Sequence, residues 1–117
     1  MAEKKIDPTA APPTPAEVSV MIQGDRIIFQ TDEANAFYTY DKDTAGQSAC
    51  DGDCAAAWPP VIAHGEAKPL GAWTLVNRKG GTKQWAYKGK PIYTYAKDVP
   101  GEAKGDGVGG LWHVLKP

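Results

Sequence analysis

Ala36-Phe37-Tyr38-Thr39-Tyr40-Asp41-Lys42-Asp43 is written a second time further along the chain, as Pro91-Ile92-Tyr93-Thr94-Tyr95-Ala96-Lys97-Asp98. At the same offset Gly46 meets Gly101, Gln47 meets Glu102, Asp51 meets Asp106 and Gly52 meets Gly107; after one deletion Trp58 meets Trp112. Upstream, one further indel sets Phe29 against Trp85 and Thr31 against Tyr87. Self-similarity of this extent identifies two copies of one structural unit.

Each copy reads as β-structure. Val18, Val20 and Ile22 alternate with Ser19, Met21 and Gln23, Gly24-Asp25 supplies a turn, and Arg26 to Gln30 returns. After turn residues Asp32 to Asn35, a motif strand over 36–40 puts Phe37 and Thr39 on one face and Tyr38 and Tyr40 on the other. Copy two repeats the plan with strands at 73–76, 83–87 and 92–95, turns at 78–81 and 88–90, and a closing strand over 111–115. One segment favours helix, Cys54 to Trp58, with Asp51 or Asp53 as cap and Pro59-Pro60 as stop. The fold class is therefore mainly β: a compact antiparallel domain of two sequence-related repeats with one short helix. Residues 1–17, with Pro8, Pro12, Pro13 and Pro15, read as a disordered arm. The single domain spans 18–117, with repeat one over 18–60, a linker over 61–72 and repeat two over 73–117.

Composition narrows the function classes. Thirteen Lys and Arg against fourteen Asp and Glu leave a net charge of -1, without the basic footprint that nucleic acid or acidic lipid requires. No apolar run approaches the roughly 18 residues of a spanning helix, and no basic-then-apolar leader opens the chain.

The signature Tyr-x-aromatic-x-x-Asp falls on Tyr38, Tyr40 and Asp43 and again on Tyr93, Tyr95 and Asp98. With Cys50-Asp51-Gly52-Asp53-Cys54-Ala55-Ala56-Ala57-Trp58-Pro59-Pro60, Lys83-Gln84-Trp85-Ala86-Tyr87-Lys88-Gly89 and the closing Gly109-Gly110-Leu111-Trp112-His113-Val114, the chain resembles a family of bacterial secreted and lipoprotein repeats without an established function. The resemblance implies export to the periplasm or cell surface and brings no catalytic residues. That family often carries a lipid on an N-terminal cysteine, which this chain lacks, so membrane contact is expected only through such an anchor.

Cys50 and Cys54 are four residues apart, too far for a bridge on a regular helix, but Asp51-Gly52-Asp53 can bend the chain so that they join. Such a staple contributes about 2 kcal/mol, and copy two has Gly105 and Gly109 in its place. The sharper alternatives are a copper-type metal site completed by His64, His113 or Met21, and a redox-active dithiol. Carboxylates gather after each motif strand, Asp41, Asp43, Asp51 and Asp53, then Asp98, Glu102 and Asp106; their spacing matches no standard calcium loop, and Lys42 and Lys97 lie among them. The repeated tyrosines read either as sheet packing or as a platform for a planar ligand, a glycan or a haem. His113 is expected to pack and His64 to be exposed. No nucleophile elbow, phosphate loop or dinucleotide fingerprint occurs. The expected function is a non-enzymatic extracytoplasmic module for an unidentified small ligand or protein, with no cofactor. At the end of each signature, Asp43 and Asp98 are expected to accept loop N–H groups, and Tyr38 and Tyr93 to reach the loop of their own copy.

Overall fold

The computed structural model describes residues 14–23 and 26–115. The arm up to residue 13 and the turn at Gly24-Asp25 lie outside the described residues. β1 (Ser19–Gln23) and β2 (Arg26–Gln30) pair antiparallel. A turn with Ala34 at φ 67 leads to a bridge between Gln30 and Ala36, and then to β3 (Tyr38–Tyr40). After α1 (Asp53–Ala57), β4 (Trp73–Asn77), β5 (Lys83–Tyr87) and β6 (Lys90–Pro91) form an antiparallel meander, and β7 (Trp112–Val114) closes the chain. The described chain is mainly antiparallel β with one short helix, as its alternation predicts.

The helix departs from expectation at its start. Neither Asp51 nor Asp53 caps it: Gly52 holds the N-cap position at φ 58, no side chain bonds across it, and Asp53 is the first helical residue. Glycine tolerates the left-handed region that reverses the chain there, whereas an aspartate cap needs an extended backbone. The helix stops where Pro59-Pro60 forbids continuation.

The two copies are interlocked. β3 of copy one pairs with β7, the tail of copy two, through Tyr38 with Val114, Thr39 with His113 and Tyr40 with Trp112. Reciprocally, Tyr93 bridges to Pro60 and the Thr94 amide donates to the Pro59 carbonyl at 2.8 Å, so the second motif segment lies on the tail of copy one. At the centre the motif segments meet each other. Tyr38 N–H donates to the Tyr93 carbonyl at 2.8 Å and Tyr93 N–H to the Tyr38 carbonyl at 2.9 Å. Equivalent bonds recur outward: Leu115 N–H to the Phe37 carbonyl corresponds to Val61 N–H to that of Ile92, and Asp41 N–H to Leu111 corresponds to Ala96 N–H to Ala57. A pseudo-twofold axis therefore passes between Tyr38 and Tyr93.

One expected strand is missing. Residues 92–95 form bridges only, and the strand of that region, β6, ends at Pro91. The partner segment of copy two's motif is Pro59-Pro60, whose residues have no N–H to donate, whereas β3 faces Trp112-His113-Val114 and completes a ladder. The closing strand is likewise shorter than expected, covering 112–114.

Strand alternation sorts the motif between two cores. Phe37 and Ile92 enter a cluster with Phe29, Trp73, Trp85 and Tyr87. Tyr38 and Tyr93 enter a second with Trp58, Trp112 and Cys50, against which Tyr40 and Tyr95 pack. In this second core four rings stack in the order Tyr40, Trp112, Trp58, Tyr95, with centroid separations of 4.2, 3.8 and 4.1 Å. The two tryptophans, equivalent in the duplication, are parallel to within 2°. The segment between the copies contributes to the first core: Val61 and Ala63 are buried, and Trp85 N–H donates to the Val61 carbonyl at 2.9 Å.

Trp58→Ala and Trp112→Ala are each expected to cost roughly 3–5 kcal/mol in urea unfolding. Because the rings stack on each other, the double variant should lose less than the sum of the singles by about 1 kcal/mol. Strict additivity would show that the stack couples nothing.

Candidate functional site

The signature tyrosines and aspartates find each other, but across the copies. Tyr38 Oη donates to Asp98 Oδ2 at 2.5 Å, and Tyr93 Oη donates to Asp43 Oδ2 at 2.7 Å. The expectation that each phenol reaches the loop of its own copy is corrected: the strands are antiparallel at the axis, so each ring points at the other copy's loop. The aspartates do accept loop amides with their second oxygens, Ala49 N–H to Asp43 Oδ1 at 2.6 Å and Lys104 N–H to Asp98 Oδ1 at 2.8 Å. Each carboxylate thus ties its own loop to the other copy's core. Tyr38 and Tyr93 are fully buried.

The surroundings of the two pairs differ. At Tyr38 the Gly105 amide donates to the phenol oxygen at 3.1 Å. A Cβ on Gly105 would lie 2.6 Å from Trp58 Cη2, so copy two has no room for a cysteine at that position. Copy one carries Cys50 there, bridged to Cys54 with a Cα separation of 5.2 Å. Ser48 stands beside Tyr93 instead, its Oγ 2.6 Å from the phenol oxygen. Arg78 Nη1 donates to Ser48 Oγ at 3.0 Å and to Gln84 Oε1 at 2.9 Å, and Nη2 to the Cys50 carbonyl at 2.9 Å. Gln84 is fully buried and donates to the Ile92 carbonyl at 2.7 Å.

Arg78 and Ser48 had no prominence in the sequence, and Gln84 stood there only within the run Lys83 to Gly89 that carries the family resemblance. Alternation along Lys83 to Tyr87 sets Gln84 and Ala86 on one face, and Gln84 is covered because residues 61–63 cross it, Ile62 bridging to Gln84. The tip Lys79-Gly80-Gly81, with both glycines at φ 87, is a turn as expected, yet Arg78 beside it turns inward.

Burial raises the pKa of both Tyr38 and Tyr93 well above the usual phenol range. Asp98 adds to the rise at Tyr38 while the Gly105 amide opposes it. At Tyr93 the Ser48 hydroxyl opposes and Asp43 adds. Burial also raises Asp43, held back by the Ala49 amide, the Tyr93 hydroxyl and the Arg78 guanidinium.

The other sequence candidates are dispersed. Among the described residues no group of three or more His, Cys, Asp and Glu side chains could hold a metal ion. His64 is exposed, its Nδ1 2.9 Å from Glu17 Oε1. His113 does not pack; its side chain is 47% exposed and Nε2 lies 2.8 Å from Asp41 Oδ2, because position 113 alternates away from the buried Trp112. Asp106 Oδ1 accepts the Val114 amide at 3.0 Å, and Glu102 accepts that of Val99 at 3.3 Å and pairs with Lys104 at 3.2 Å. Asp51, Asp53, Lys42 and Lys97 are exposed. Tyr40 and Tyr95, half-buried, each have a ring face covered by a tryptophan. Alongside β3 runs a groove of about 380 Å³ between Tyr40 and Asp41 on one side and the Lys88-Gly89-Lys90 turn on the other.

The raised phenols set the alkaline behaviour. A group with a folded pKa above its unfolded value of 10.0 contributes stability below pH 10, which is lost as pH rises through the folded value. The melting temperature should therefore fall steeply above pH 10, and Tyr38→Phe and Tyr93→Phe should each flatten that fall. At neutral pH each should cost roughly 1–3 kcal/mol, since each leaves a carboxylate oxygen without its donor. An alkaline limb unchanged in both variants would show that these phenols do not drive it.

A family model described as a secreted repeat of unknown function matches residues 30–62 and again residues 74–116, one match for each copy. No curated protein and no solved structure matches the chain. The two matches cover more than half of the 117 residues and coincide with the interlocked units, and the chain belongs to this secreted-repeat family.

Proposed function

We propose that the chain is a non-catalytic extracytoplasmic binding module, held in the periplasm or at the cell surface, in which the duplicated signature is scaffold and the loop-bearing surface meets a ligand or partner. The observation that supports this most directly is the exchange of hydrogen bonds between Tyr38 and Asp98 and between Tyr93 and Asp43. Groups so engaged, the buried phenols donating and the carboxylates accepting, are not poised to attack or protonate a substrate; catalytic acids and bases must reach the proton they move. The Cys50–Cys54 bridge suits an oxidising compartment. With the sulfurs joined and the histidines paired to Glu17 and Asp41, soft-metal handling has less in its favour.

Two measurements test the reading. Asp43→Ala and Asp98→Ala should each destabilise by roughly 1–3 kcal/mol, through unpaired amides and phenols, equally with and without chelator. Unchanged melting of both variants, or a chelator-dependent difference, would make the signature a site rather than a scaffold. Cell fractionation should place the native protein outside the cytoplasm, and the purified domain should co-sediment with insoluble bacterial envelope material. Cytoplasmic retention, or no co-sedimentation, would overturn the proposal.

A further inference from the structure

The duplication provides an internal control for which surface residues exceed what the scaffold needs. Gly46 N–H donates to the Gly89 carbonyl at 2.9 Å, and Gly101 N–H to the Ala34 carbonyl at 2.9 Å, so the turn at 88–90 is the counterpart of the turn at 33–35. The groove beside β3 therefore has an equivalent surface across the pseudo-twofold axis. Where the groove beside β3 has Lys90, Asp41, Thr44 and His113, the equivalent surface has Asn35, Ala96, Val99 and Pro59; Lys88 falls where the two turns differ in length by one residue, and Asp32-Glu33 stand there on the other surface. Both surfaces serve the same interlock, and only the groove beside β3 carries this polar set. Val99, its counterpart on the other surface, is an exposed apolar residue, 54% accessible.

Within the groove beside β3 most carboxylates are already engaged. Asp43 uses both oxygens on Ala49 and Tyr93, Asp41 meets His113, and Asp106 accepts the Val114 amide. The lysines are not engaged in this way: among the described residues neither Lys88 nor Lys90 has an ion-pair partner, and Lys88 Nζ sits 5.3 Å from the centroid of the Tyr87 ring. Thr39 and Tyr40, both residues of the same groove, have hydroxyls without a hydrogen-bond partner among the described residues. Lys88 also breaks a local rule. It has φ 51 and Gly89 has φ 82, between the paired residues Tyr87 and Lys90. A two-residue hairpin loop with both φ values positive favours Asn, Asp or Gly at its first position. An ammonium is placed at the groove against that preference, as happens where function overrides local propensity.

A second groove, of about 330 Å³, shares Thr39, Asp41, Lys88 and Lys90 with the first and extends past His113 and Asp106, so the polar surface is elongated. Three aspartates along it disfavour a densely charged polyanion, while two unpaired ammoniums and free hydroxyls favour acid groups interspersed with hydroxyls. We propose that this groove, and not its counterpart across the axis, binds a linear acidic saccharide, with Lys88 and Lys90 on its carboxylates and Thr39, Tyr40 and Asp41 on its hydroxyls. This rests on the binding-module reading and names the ligand class for it.

The test titrates the domain with tetragalacturonate in amide-resolved NMR, beside neutral maltotetraose and inorganic polyphosphate. The comparison variant is Lys88→Glu with Lys90→Asn, which takes its residues from the turn at 33–35; its melting temperature serves as a fold check, because Lys88 has φ 51 and Glu33 does not share that left-handed conformation. Tetragalacturonate should shift residues 39–41, 88–90 and 113, bind more weakly as salt rises, and lose about tenfold or more in affinity in the double variant, each tenfold being 1.4 kcal/mol. Maltotetraose binding as tightly, or polyphosphate binding more tightly, would overturn the saccharide class assigned here while leaving the groove a binding face. Shifts centred elsewhere, no shift with tetragalacturonate, or an affinity unchanged in the double variant would overturn the site itself. Envelope co-sedimentation that persists in the double variant would leave the binding-module reading standing even then.

Discussion

The structure depends on one constraint, the meeting of Tyr38 and Tyr93 at the pseudo-twofold axis. Two backbone hydrogen bonds join them, and their side chains then diverge, each phenol running into the other copy's loop to end on Asp98 or Asp43. A buried phenol and a buried carboxylate are both costly when alone. Donor and acceptor come from opposite copies, so neither can be satisfied until both copies are in place. The same holds for the ring stack, whose inner pair is one tryptophan from each copy and whose outer tyrosines each lie on the tryptophan of the other. Polar and apolar contacts therefore impose the same exchange of partners, and the two copies are interlocked rather than strung as two beads on a chain.

Symmetry of the backbone does not extend to the interior of the loops. On the copy-two side a glycine lets the aromatic rings close directly onto the main chain, and the Gly105 amide reaches the phenol of Tyr38. On the copy-one side Cys50 occupies that space, its sulfur tied to Cys54, and Ser48 and Arg78 provide the hydrogen bonds that hold the loop. The disulfide is thus one of two solutions to the same closure, packing against the rings in one copy and replaced by close approach of the backbone in the other. A guanidinium that donates to a loop carbonyl, a serine and a buried glutamine, and that also offsets the desolvation of Asp43, completes the first solution. The outer surface diverges in parallel, with Asp41, Thr44 and His113 on the groove beside β3 and Ala96, Val99 and Pro59 on its counterpart.

What the sequence by itself determined was the period: two copies, strands of alternating character, one short helix cut off by Pro59-Pro60, and a signature ending in an aspartate where the chain reverses. These are local properties, set by side-chain alternation, by proline's missing N–H and by turn chemistry, and they are legible one segment at a time. The same local logic, applied with its partner in view, explains why residues 92–95 fail to make a strand. Tertiary structure alone decided which aspartate each tyrosine meets, because a repeat carries identical donors and acceptors in both copies and no local preference separates a bond within a copy from one between copies. It also decided that Gln84 is buried and His113 is not, since each depends on what crosses the sheet: residues 61–63 cover the first, and nothing described covers the second. Arg78 was hidden for the same reason. A long cationic side chain beside a glycine turn looks solvated until the loop carbonyl of Cys50 and the hydroxyl of Ser48, both distant in sequence, are brought to it by the interlock.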